Sequence, residues 1–264
     1  MEIDFQNEMN KLMNLFPNGF NAIDEPIDVN LQMEYFKTSK QVHKELDDDL
    51  NVDMLENINS ETLSDEDRKV LLIKLASIDD ARAFRIIEEY AKDTENPLHA
   101  WALMAKNESK MLIEGSLLNE RQVFVSTGLG GRNNKLRYFV VLISNNEEFA
   151  EFQQKLVKSE FETAMKENQS ELESIEFNGK YAATKLLIPL NVQFDKLIID
   201  AVKTCNEFGN FLTHDFLVTN VKELSFEEIA EIVAQREKTG NTFTATPIDF
   251  IDEGNIGDEL PDNE

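Results

Sequence analysis

The chain has a single cysteine, Cys205, and three histidines among its 264 residues. One thiol excludes an internal disulfide, and no cysteine and histidine cluster has the spacing of a zinc site. Long apolar runs are also missing. No segment approaches the roughly 20 consecutive apolar residues a membrane helix needs. The opening MEIDFQNEMNKL carries acids where a secretory signal would have an apolar core. A reducing cytoplasm, away from membranes, is therefore the expected setting. Positive charge is scarce as well, with 26 Lys and Arg against 51 Asp and Glu and a net charge of -25. Such a field repels nucleic-acid backbones and anionic lipid surfaces, which disfavours direct nucleic-acid binding, and it attracts cationic partners. Neither G-x-x-x-x-G-K-[ST] nor G-x-G-x-x-G occurs, and no calcium-loop spacing is found. No cofactor and no metal are expected.

What the chain does have is enough apolar material for a sizeable core, at 41% hydrophobic residues. The text divides into four parts. Residues 1–59 form an arm whose Ile3, Phe5, Met9, Leu12 and Phe16 recur at helical spacing, with Pro17-Asn18-Gly19 as a break and Asn30 to Lys44 as a second helix. Residues 60–118 carry three amphipathic stripes. Ser64 and Asp67 have the spacing of a capping box, Asp79-Asp80 stop and restart the helix, and Asn96-Pro97 opens a third one. Residues 119–240 alternate strands and helices in the order β-β-α-β-β-α-β-α. This predicts an α+β fold: a largely antiparallel sheet with helices covering one face. Within it, Asn146 is expected to cap a long helix, Asn178-Gly179 to turn a hairpin, and Ser225 with Glu228 to cap the last helix. Residues 241–264 hold acids and no Lys or Arg, the composition of a disordered tail.

The run Leu75-Ala76-Ser77-Ile78-Asp79-Asp80-Ala81-Arg82-Ala83, then Ile86-Ile87-Glu88-Glu89-Tyr90, Asp93, and Leu98 to Ala105 resembles the HEAT-repeat family. The likeness covers about residues 65–110. Ala81 stands where the family usually has proline, and one to two repeats are present rather than an array. The resemblance implies a stacked-helix surface used for protein contacts, because a lone repeat cannot bury its own face.

The candidate site is the stretch RQVFVSTGLGGRNNKLRYFVVLIS from Arg121 to Ser144. Gln122 to Thr127 and Leu136 to Ile143 read as two strands of a hairpin, with Gly128 to Asn134 as the turn. Gly128, Gly130, Gly131, Arg132, Lys135 and Arg137 make it the one basic place in an acidic chain. Its backbone N–H groups could cradle an anion, although the loop leads into a strand and not a helix. Alternatively the cations project as a docking tip for an acidic partner. Cys205 with His214 is a remote candidate for a nucleophile and base, and Trp101 reads as core. No complete catalytic constellation is written in the sequence. The expectation is a non-enzymatic, cytoplasmic protein-interaction or scaffold module using the helical face and the basic tip. The alternatives are a small-ligand or phosphate-binding domain using residues 126–132, and an acidic secretion- or assembly-type chaperone.

Overall fold

A computed structural model describes residues 20–46, 52–54, 57–119 and 123–239. The helix expected over Ile3 to Phe16, the run Asp47 to Asp49 and the acidic tail lie outside these residues.

The helical section is built from locally capped helices. α1 (Val29–Lys44) starts at Asp28, whose carboxylate accepts from the N–H groups of Asn30 and Leu31. α2 (Asp65–Ala76) opens on the expected capping box. The Ser64 hydroxyl accepts from Asp67 N–H at 3.1 Å, and the Asp67 carboxylate accepts from Ser64 N–H at 3.3 Å. Asp80 caps α3 (Ala81–Tyr90). α4 (His99–Leu118) begins later than Asn96-Pro97 suggests, because Asn96 Oδ1 accepts from Leu98 N–H at 2.8 Å and closes a turn there. Tyr35, Leu72, Leu75, Ile87, Trp101 and Ala105 meet in one core. Trp101 sits at its centre, 1% exposed, with its indole N–H donating to the Lys69 carbonyl at 3.2 Å and its ring meeting Tyr35 edge-on. A buried indole needs such an acceptor, and α2 supplies it.

The sheet section departs from the expected hairpin. β2 (Val123–Val125) does not return against the next long strand; it pairs in parallel with β1 (Phe20–Ala22). The hairpin is much tighter, joining β3 (Gly131–Arg132) to β4 (Lys135–Ser144) through Asn133 and Asn134, at φ 51° and 61°. Two consecutive positive φ values are what a two-residue turn with the right twist requires, and asparagine tolerates them.

From β4 the chain runs through α5 (Glu151–Glu167), β5 (Glu171–Asn178), β6 (Tyr181–Pro189), α6 (Phe194–Asn206) and β7 (Leu212–Thr219). The main strands lie in the order β7-β4-β6-β5, each antiparallel to its neighbour. This β-α-β-β-α-β path is the ferredoxin-like split arrangement within an α+β fold. The N-cap of α5 is Ala150, not Asn146, with Gln153 Oε1 accepting from Ala150 N–H at 2.9 Å. The turn between β5 and β6 falls on Gly179-Lys180, one residue later than expected, with Gly179 at φ 55°.

Helices cover both faces, not one. α5 and α6 pack Val157, Phe161, Ile198 and Val202 onto Val140, Leu142, Ala182 and Leu186. On the other face α7 (Phe226–Thr239) sets Ile229 and Val233 on Phe139, Val141, Ile143 and Leu217. The cause is visible in β4, where an unbroken apolar run replaces alternation, the pattern of a strand buried on both sides. α7 covers the β4 and β7 side and its cluster reaches β6 at Ala183 and Tyr181. Beyond the buried Ala183 and Leu187 of β6, the same face carries Glu171, Glu173, Ser174, Glu176 and Lys185, none of them buried.

Candidate functional site

The uncovered part of that sheet face forms a cleft beside the N-terminus of α7. Two adjoining hollows of about 320 Å³ and 280 Å³ share Ser174, Lys185 and Glu223. The first reaches Pro26, Leu129 and Arg137, and the second reaches Phe139, Glu176 and Phe226. Leu129 and Phe139 are buried beneath charged walls, so the polar groups and the half-buried Phe226 are what this cleft presents for recognition.

Of the basic residues of the sequence-derived site, Arg137 lines this cleft, and none of Arg132, Lys135 and Arg137 is free. Arg132 and Lys135 both reach Glu171, at 2.5 Å and 2.6 Å. Arg137 forks onto Glu173 at 2.6 Å and 3.0 Å and also donates to the Leu129 carbonyl at 2.6 Å. Lys135 and Arg137 each find their carboxylate 36 residues downstream, on β5. Hydrogen bonds from Lys135 and Arg132 hold the Glu171 carboxyl below the usual range, and Arg137 does the same for Glu173 while its own guanidinium is pushed up. The cations therefore form the neutralised side of an ion-pair network instead of a projecting positive tip.

Gly128, Gly130 and Gly131 are buried, and their loop is a joint. Leu129 N–H donates to Asn220 O at 2.9 Å, Gly130 N–H to Thr127 O at 3.1 Å, and Gly131 N–H to Asp24 O at 3.3 Å. These three amides are satisfied internally, so none of them is turned out toward an anion. The glycines answer to close backbone approach. A Cβ on Gly128 would collide with the Val221 backbone, and one on Gly130, at φ 66°, would lie 2.6 Å from Asp24 O. Gln32 of α1 adds a side-chain tie, donating to Thr127 O at 3.3 Å and Ile27 O at 2.7 Å. The helical section and the sheet section meet here.

No family model matches the chain, and no curated protein matches it. Among solved structures, the crystal structure of a "putative transposase" from Deinococcus radiodurans R1 overlaps 41% of this chain and 95% of its own, at 17% identity and a TM-score of 0.32. A likeness that slight carries no functional argument. The site has to be read from its own chemistry.

Among the described residues, two side-chain sets have the composition of a catalytic centre. Cys205 is fully buried in α6, and desolvation with the nearby Glu160 charge pushes its thiol up to about 12. It is a thiol at neutral pH and a small core hydrophobe, while His214 is exposed on β7. The second set escaped sequence analysis: His43, Ser77 and Glu108, from α1, the end of α2, and α4. His43 Nε2 lies 2.6 Å from Ser77 Oγ and 3.1 Å from Glu108 Oε1. A relay needs the two ring nitrogens to face opposite partners, and here one nitrogen faces both. Ser77 already donates its proton to Ile73 O at 2.8 Å, so toward His43 it accepts. The imidazole is a forked donor. Tyr35 and Ser39 complete the ring of donors on Glu108, so the cluster ties three helices together.

This cluster gives the helical section a pH dependence. The hydrogen bond to Glu108 outweighs partial burial and raises the His43 pKa above its ordinary value of about 6.5. The stabilisation is therefore complete below the unfolded pKa and is lost as pH rises through the folded one. Thermal unfolding of wild type and His43→Gln from pH 5 to 9 is expected to show a wild-type advantage in acid that shrinks toward alkaline pH. Parallel curves would contradict the assignment.

Proposed function

We propose that the protein is a non-enzymatic protein-interaction module that docks its partner at the cleft on the β5 side of the sheet. The observation that carries this is the cleft itself, whose paired charges stand over the buried Leu129 and Phe139, with the half-buried Phe226 at its rim. A net charge of -25 selects against nucleic acid and for proteins with cationic surfaces. A second contact surface in this proposal is the helical section, where α1, in the arm that packs on the HEAT-like helices, exposes Met33 and Phe36 at 45% and 41%. A reducing cytoplasm is the proposed location, on the strength of the lone thiol. Among the described residues, no helix is long and apolar enough to cross a membrane.

The test is affinity capture with the full chain, after which each retained protein is made pure and titrated back. The expected result is one saturable complex that Ser174→Trp, placed where the two hollows join, abolishes without lowering the melting temperature. If no purified protein rebinds, the proposal fails.

A further inference from the structure

We infer that the outer edge of β5 receives an extended, basic and apolar segment of the partner protein as a sixth strand of the sheet. This rests on the interaction-module reading and specifies how that partner is held. β5 pairs with β6 along one side, and among the described residues nothing pairs with its other side. Alternate residues of such a strand turn their N–H and C=O groups outward, a template for another chain. The register shifts between Leu172 and Ser174, so residues 174–178 are the regular part of that template.

The two faces of the edge set the chemistry of the incoming strand. Toward α5 and α6, the half-buried Leu172, Ile175 and Phe177 pack on the core but are incompletely covered. Apolar residues at every second position of a sixth strand would complete that cover. On the opposite face lie Ser174 and Glu176, with Glu227 across the cleft. The cations in and beside the cleft are engaged, Arg132 and Lys135 with Glu171, Arg137 with Glu173, and Lys185 with Glu223. Glu176 and Glu227 form no ion pair among the described residues, so the charge offered to an incomer is negative. Lysine or arginine at the intervening positions satisfies it. A second copy of this chain is a poor occupant, because a two-fold antiparallel pairing of β5 with itself over residues 174–178 sets Glu176 opposite its own copy.

The test uses the full chain and a fluorescent peptide alternating lysine and valine, with a glutamate and valine counterpart, a scramble of equal composition, and a version N-methylated on alternate amides. The first peptide is expected to bind best, to weaken with added salt, and to lose binding on N-methylation, which removes the strand's donors. Glu176→Lys should weaken it at least about tenfold, since like charges are then opposed. Undiminished binding of the N-methylated or scrambled peptide, or indifference to Glu176→Lys, overturns the inference. The purified partner separates the two levels. If it binds wild type and Glu176→Lys equally and ignores the peptide as competitor, the module stands and the β5 edge is not its site. If no purified protein rebinds wild type, the module itself falls.

Discussion

Replacing Gly128 by alanine is expected to remove about 3 kcal/mol of stability, at the upper end of what overpacking costs. The added methyl has no void to enter: it meets the carbonyl and Cα of Val221, which belong to backbone and cannot rotate aside. Gly128 is not at positive φ, so its requirement is space alone. Gly179 is the matched control, at φ 55° with its nearest neighbour 3.7 Å from an added Cβ. Gly179→Ala should cost only about 1 kcal/mol, the penalty of the left-handed backbone. Urea unfolding of both variants reads the difference. Equal losses would mean that the joint between the two sections yields, and that Gly128 is not required by close packing.

Trp101→Ala is expected to cost about 3–5 kcal/mol, the range for deleting a large buried aromatic. The indole fills the space between α1, α2 and α4, stacks edge-on at 5.1 Å against Tyr35, and satisfies the Lys69 carbonyl. Tyr35 is itself buried, and its hydroxyl is pushed well above its usual pKa by desolvation and by the Glu108 charge beside it. Losing Trp101 therefore loosens the same corner that holds the His43, Ser77 and Glu108 cluster. Circular dichroism in urea measures the loss, while the sole tryptophan of the wild-type protein reports the helical core by fluorescence. A loss under about 1 kcal/mol would show that the site collapses around the cavity.

The cleft explains why the basic stretch misleads when read alone. Along the chain, Arg132, Lys135 and Arg137 stand without a carboxylate among them. In three dimensions the antiparallel path of β4, β6 and β5 brings Glu171 and Glu173 onto the same face. Gly128 to Gly131 look like a flexible turn for the same reason. Glycine is required by a positive φ or by a neighbouring backbone, and only the second case, which dominates here, depends on residues far away in sequence.

The sequence by itself determined the pieces whose causes are local. Ser64 with Asp67 and Ser225 with Glu228 cap their helices because the partners are three residues apart. The stripe through Ala83 and Ile87 faces the core because a helix repeats every 3.6 residues. The alternation of strands and helices implied an α+β domain, and the unbroken apolar run of β4 already held the sign of a second covering helix. Only the tertiary structure decided which elements meet: β2 with β1, α7 on half of one face, His43 with Glu108, and the open β5 edge beside a cleft. Contacts between residues dozens apart depend on chain path and packing, which short-range spacing does not encode.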